Sequence, residues 1–223
     1  MAVLQWDIES AIAAERELFA VNGYRGAAHN GATCILLDGE RPVLVSAPHA
    51  VKHLRRGVAE PKEEDEYTGT LARLLHALTG CHAIYLAACD DDPNFYNDCA
   101  YKEKLRQAVL RHGIGLVLDL HGSAHWRLYD IDIGTCHGAS LLGRPELVQA
   151  LQDTCRRYGI NEVFVNHTFS GCGQPTVTRL VSTELGIPAL QLEINKRWRD
   201  PVNRPEQFRA LVDSLAEYIL AQG

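Results

Sequence analysis

Gly113-Ile114-Gly115-Leu116-Val117-Leu118-Asp119-Leu120-His121-Gly122 is an apolar run that ends on an acid and a histidine. Its branched centre, bounded by glycines, predicts a strand buried on both faces. A second run, Val43-Leu44-Val45, closes on Ser46-Ala47-Pro48-His49. Each delivers a histidine where a strand is predicted to end. In an α/β protein the carboxyl ends of strands form the rim at which ligands and metals bind. His49 and His121 are therefore predicted to face one pocket, as a metal site requires.

Working outward, apolar runs at 33–38 and 41–47 flank the turn signal Asp38-Gly39-Glu40, which predicts a hairpin and an antiparallel first strand pair. Residues 51–64 are polar and without period, so they read as an ordered loop. Asp65-Glu66-Tyr67-Thr68 opens a helix with Leu71, Leu74, Leu75 and Leu78 on one face and Gly80 as its stop. Further strands are predicted at 82–87, 129–134, 162–166 and 189–194. Helices are predicted at 98–111, at 145–158, just before Gly186 and at 205–220. The alternation is α/β. With no repeat or linker, residues 1–223 form one domain, a three-layer α/β/α arrangement around a mixed, mainly parallel sheet.

Composition narrows the function. An apolar share of 46% and a charged share of 22% over 223 residues fit an ordinary globular chain with a sizeable core. A net charge of -6 without any basic block argues against nucleic acid as a partner. Early acids in Asp7 to Arg16 do not suit a secretory signal, and no window approaches the ~18 apolar residues of a membrane span. A cytoplasmic protein acting on a small molecule, without membrane association, is expected; the sequence does not give an oligomeric state. The seven cysteines form no CxxC pair and read as reduced core residues. Cys136-His137 and Cys172 lack a nucleophile setting, and no G-x-S-x-G elbow occurs.

Pro48 holds the chain extended before His49, whose imidazole therefore starts a loop. Asp119 shares a strand face with His121 and can hydrogen-bond it. Catalytic zinc takes three protein ligands and leaves a position for water, so a carboxylate is wanted as the third. Asp65 can serve, or it can cap the helix that follows; Glu63 and Glu64 read as solvated. Glu193 interrupts Ala189-Leu190-Gln191-Leu192 and Ile194, a strand fit for burial. An unpaired carboxylate there costs several kcal/mol or neutralises itself. It can act as a base toward an activated water, or pair structurally with Lys196 or Arg197. The histidine pairs 49/53 and 121/125 have helical ligand spacing, but Pro48 and Gly122 place them in loops, so His53 and His125 are read as pocket lining or surface.

Together these motifs resemble the N-formylglutamate amidohydrolase family, a branch of the zinc carboxypeptidase-like hydrolases. The marks are Val43 to His49, Asp65 three before Thr68-Gly69, Asp119-Leu120-His121-Gly122, Asn166 ahead of Phe169-Ser170-Gly171, and Leu190-Gln191-Leu192-Glu193-Ile194. The resemblance implies a mixed-sheet α/β/α fold, one zinc ion per chain held by His49, Asp65 and His121, and Glu193 as general base and acid in hydrolysis of an N-acyl amino acid. Two departures stand out. Lys52 occupies the place where the wider group has a glutamate three after the first histidine, and Phe95, not arginine, follows Asp92-Pro93-Asn94. A substrate carboxylate must then meet another arginine; Arg127, Arg179 and Arg197 are the candidates, with Asn94 as a further substrate contact. The alternatives are a zinc peptidase acting on small or γ-linked peptides, and a binding protein of the same fold that holds no metal.

Overall fold

The computed structural model describes residues 6–222. Seven strands form one sheet in the order β1-β3-β2-β4-β7-β5-β6. They are β1 (Cys34–Leu37), β2 (Arg41–Ala47), β3 (Cys81–Leu86), β4 (Leu116–Ser123), β5 (Ile131–Gly134), β6 (Val163–Val165) and β7 (Ala189–Asn195). The pairs β2/β3, β2/β4, β4/β7 and β5/β6 are parallel, whereas β1/β3 and β5/β7 are antiparallel. The sheet is thus mixed and mainly parallel, as the alternation of elements predicts.

The expected hairpin is not formed. β3 lies between β1 and β2, so the antiparallel partner of β1 is β3. The turn at Gly39 explains the geometry, because the chain crosses over the start of β3 instead of folding back on itself. Glu40 N and Arg41 N both donate to Gly80 O, and a Cβ on Gly39 would lie 2.4 Å from that oxygen. Asp38-Gly39-Glu40 is therefore a crossing turn whose glycine is required by close backbone approach. A second correction concerns β4, which runs on through His121 to Ser123. Pairing with β7 from Val117↔Ala189 to Ser123↔Asn195 carries it past the predicted end, so His121 stands within a strand, not after one.

The helices are α1 (Ile8–Ala14), α2 (Val21–Tyr24), α3 (Thr68–Thr79), α4 (Ala100–His112), α5 (Glu146–Arg157), α6 (Val177–Glu184) and α7 (Pro205–Leu220). α3 packs on β2 and β3, and α7 joins α3 to α5 over one face. The other face is covered by α4, whose Tyr101 hydroxyl meets Ser46 of β2, and by α6, whose Thr178 hydroxyl meets Asp119 of β4. Strand residues Val43, Leu44, Val45, Val117, Leu118, Leu190 and Leu192 are fully buried between these layers. Each such side chain contributes roughly 1.5–3 kcal/mol. All seven cysteines are free thiols; Cys34, Cys81, Cys99 and Cys155 are buried, the core role the sequence suggests.

The start of α3 decides what Asp65 can do. No side chain from the flanking residue caps this helix, and Tyr67 stands in the left-handed region at φ 66°. Glu15, at the start of a π-helical turn (Glu15–Phe19) that follows α1, fills the gap. Its carboxylate accepts Tyr67 N at 2.9 Å and Thr70 Oγ1 at 2.6 Å, and it brings negative charge to the helix start. Asp65 contributes only its carbonyl, which accepts Thr68 N and Thr68 Oγ1. Its carboxylate is left free for other work.

Candidate metal centre

That carboxylate lies between the two histidines. Asp65 Oδ2 is 3.4 Å from Nδ1 of His49 and 3.2 Å from Nδ1 of His121. The two rings meet edge to face with centroids 4.8 Å apart. One ligand atom from each residue of His49, Asp65 and His121 falls within 4.8 Å of the others. The sequence distance is bridged by a parallel sheet: β2 and β4 are neighbours, and the loop that carries Asp65 returns to donate its amide to His49 O at 2.8 Å.

The outer ring nitrogens are also occupied. His49 Nε2 is 2.8 Å from Asp92 Oδ1. His121 Nε2 has Asp119 Oδ2 at 3.4 Å and Asn94 Nδ2 at 2.8 Å. An imidazole whose Nε2–H is taken by a carboxylate presents the Nδ1 lone pair, so Asp92 can orient His49 for Nδ1 ligation, whereas at His121 the Asn94 amide donates to Nε2 and, with Asp119, fixes the plane of the ring. Two imidazole nitrogens and one carboxylate oxygen, with their outer sides supported, fit a divalent transition-metal ion such as zinc.

Charge in the centre points the same way. Burial alone would push the Asp65 carboxyl up, but hydrogen bonds with His121 and His49 overcome it and hold the group far below the ordinary carboxylate range. Burial likewise opposes charge on His121, yet Asp119 and Asp65 raise it well above an ordinary imidazole. The cluster draws positive charge into a buried place, and protons on the rings compete with a cation for the same lone pairs.

Two other groups of His and Asp lie close enough to hold an ion, among the described residues. In His49–His53–Asp92, the Asp92 Oδ2 atom already accepts Arg55 Nε at 2.7 Å. In Asp38–His82–His112, Nδ1 of His82 accepts the Gly39 amide at 3.0 Å, which puts the neutral ring's proton on Nε2 and removes that lone pair. In the His49–Asp65–His121 group the carboxylate meets no arginine and lies between the two rings.

Glu193 stands on β7 opposite His121 of β4 and opposite Asp132 of β5. It is 7% exposed, and burial raises its carboxyl to about 7 even though His121 and His49 pull it down. Neither structural partner suggested by the sequence reaches it, since Lys196 pairs with Glu66 at 3.1 Å and Arg197 with Asp130 at 2.7 Å. Gln191 Nε2 donates to its Oε1 at 2.9 Å, and Oε2 has no hydrogen bond among the described residues. Ser123 Oγ, Tyr129 OH and Gln191 Oε1 are buried without a hydrogen-bond partner within the protein.

The remaining sequence candidates are dispersed. Asn94 is buried between His121 and the start of α6, its Oδ1 accepting Val177 N at 2.9 Å. Arg127 lies against the rings of Trp126 and Phe169, Arg179 is exposed on α6, and Arg197 is taken by Asp130. Glu64 departs from the solvated role expected of it, because its Oε2 atom is buried without a partner. Asn166 and Phe169-Ser170-Gly171 shape a loop. Asp132 accepts the amides of His167, Thr168 and Phe169, while Asn166 Oδ1 accepts Thr135 N. Sequence reasoning passed over Arg55 and Arg199. Arg199 is 5% exposed and donates to Ile194 O, Glu66 O and Ser123 O. Its only sequence signal is an arginine shortly after a buried strand.

A family model described as N-formylglutamate amidohydrolase matches residues 98–198, from just before α4 to the end of β7's outer turn. The resemblance to that family is shown. The matched segment includes Asp119, His121 and Glu193, whereas His49 and Asp65 precede it. No curated protein matches the chain. Among solved structures, an N-formylglutamate amidohydrolase from Ralstonia eutropha JMP134 is similar with a TM-score of 0.63 and 16% identity, over 85% of this chain and 96% of that one. A gene product of Agrobacterium tumefaciens is similar at a TM-score of 0.62 and 13% identity, over 87% of this chain and 95% of that one. Succinylglutamate desuccinylase from Chromobacterium violaceum is similar at 0.52 and 15% identity, over 84% of this chain and 67% of that one. At these identities the likeness establishes the fold alone, a mixed sheet between layers of helices. No helix among the described residues is long and apolar enough to cross a membrane.

Proposed function

We propose that this chain is a zinc-dependent amidohydrolase that cleaves the amide bond of an N-acyl amino acid of the N-formylglutamate kind. His49, Asp65 and His121 hold one ion, and Glu193 is general base and then general acid. When bound, zinc supplies Lewis acidity toward the amide carbonyl and toward a water molecule. Everything else falls to the chain. Asp92 orients the His49 ring, and Asn94 with Asp119 orients the His121 ring. Gln191 fixes Oε1 of Glu193, so that Oε2 takes a proton from water and returns it to the departing amine nitrogen. A carboxyl near 7 in the ion-free chain is matched to both steps, since it neither keeps nor refuses a proton too strongly at neutral pH.

The observation that carries this reading is the convergence of His49, Asp65 and His121 beside a buried Glu193 that forms no salt bridge among the described residues. A binding protein gains nothing from keeping such a group charged. The test is formate release from N-formyl-L-glutamate beside a panel of N-acyl amino acids and short peptides, with and without chelator. Release that stops on chelation and returns with zinc is the expected result. Hydrolysis confined to peptides would replace this reading with the peptidase one, and no hydrolysis at all after zinc loading would overturn both.

A further inference from the structure

We propose that Arg55 receives a carboxylate of the substrate, an assignment that rests on the amidohydrolase reading above. Its guanidinium is anchored on one edge and open on the other. Nε donates to Asp92 Oδ2 at 2.7 Å, and Asp92 Oδ1 is 2.8 Å from Nε2 of His49. One fully buried carboxylate thus joins Arg55 to a candidate ligand. The guanidinium carbon lies 4.6 Å from the centroid of the Phe95 ring. The two loops are also stitched together beside it: Leu54 N donates to Asp90 O at 2.8 Å and Asp92 N to Leu54 O at 2.9 Å. Salt bridge, ring and backbone fix the plane of a side chain that otherwise has many rotamers, so little ordering remains to be done when an anion arrives.

The outer edge is what remains. Nη2 makes a long 3.4 Å contact with Gln174 Oε1, and Nη1 makes no hydrogen bond among the described residues. The side chain is 25% exposed while its partner Asp92 is wholly buried. Two terminal nitrogens in one plane, reachable from solvent and held by a rigid base, match a carboxylate bidentately. The other arginines are less suited. Arg197 is neutralised by Asp130, and Arg199 spends its donors on backbone carbonyls. Arg127 and Arg179 have no tie to the residues around the ion site comparable to the Asp92 bridge. The substrate class that follows is an acylated amino acid with a free carboxylate, and its neutral amide is discriminated against.

Calorimetric titration of the zinc-loaded protein with N-formyl-L-glutamate and with its uncharged diamide tests the assignment. The wild type should prefer the charged compound. Arg55→Met should weaken it about 30-fold, as loss of a hydrogen-bonded charge pair does, and leave the diamide unchanged. Phe95→Ala removes a 42% exposed ring and leaves the Asp92 pair intact, so it should weaken only the charged compound, by about 5-fold. Zinc per chain is counted in each variant; should Arg55→Met shed zinc, Phe95→Ala carries the test. Equal loss for both compounds, no loss in either variant, or a wild type indifferent to charge would overturn the assignment. Charge-selective binding without formate release would uphold Arg55 and defeat the amidohydrolase reading; formate release with an unaffected Arg55→Met protein would do the reverse.

Discussion

Asp92 and His49 are joined by a 2.8 Å contact between Oδ1 and Nε2, on the side of the ring away from Asp65. The acid belongs to the turn before α4 and the histidine to the end of β2. The contact therefore sets the aim of a candidate ligand from a different part of the chain. Asp92→Asn should keep the volume and lose the charge-assisted bond. Zinc affinity, read by competition with a coloured chelator, should fall about 10- to 100-fold. An unchanged affinity would mean that His49 needs no such support.

Glu15 does for α3 what the capping alternative assigns to Asp65. Glu15→Ala leaves Tyr67 N and Thr70 Oγ1 without their partner inside the protein. Chemical denaturation should show a loss of about 2–4 kcal/mol, the cost of leaving two such groups unpaired. Because the helix start then wants a new acceptor, zinc affinity should fall as well if Asp65 turns toward the helix. A stability loss below about 0.5 kcal/mol would show that water serves these groups equally well.

Gly122 lies against Arg199, and a Cβ there would stand 2.3 Å from Nη2. Gly122→Ala must displace a buried guanidinium that holds Ile194, Glu66 and Ser123 by their carbonyls. About 1–3 kcal/mol of destabilisation is expected, measured by thermal or urea unfolding. A neutral substitution would show that Arg199 is free to move.

Lys102 provides a pH test on a residue outside the three candidate ligands. It is fully buried, donates to Asn97 Oδ1 at 3.0 Å and to Pro175 O, and burial lowers its ammonium to about 8 from an ordinary 10.5. Below pH 8 both the folded and the unfolded chain carry the proton. Between pH 8 and 10.5 the unfolded chain binds more protons, so stability rises with pH across that window. Relative to Lys102→Met, the wild type should gain on the order of 2 kcal/mol from pH 8 to 10.5. A flat difference would mean that Lys102 is not depressed.

Most of the architecture was legible in residue patterns, because buried strands such as Leu116 to Leu118 and amphipathic helices such as Pro205–Leu220 declare themselves locally. What failed was pairing. Asp38-Gly39-Glu40 has the chemistry of a hairpin, and only the approach of Gly80, distant in sequence, turns it into a crossing. His49, Asp65, His121 and Glu193 could be singled out because each breaks a local rule: a polar residue at the end or in the middle of a strand fit for burial, or a cap with a better use. Arg55 and Glu15 break none. An arginine in a polar loop and a glutamate in an amphipathic helix look like surface, and their roles depend on partners that lie 37 and more residues away.

The rate of formate release by Glu193→Gln protein that still carries its zinc, set against wild type, tests the account at its centre. Glutamine keeps the size and the contact to Gln191 but cannot accept a proton from water. A fall of about 10²- to 10⁴-fold is the expected result. A zinc-loaded Glu193→Gln protein that works at the wild-type rate would contradict it.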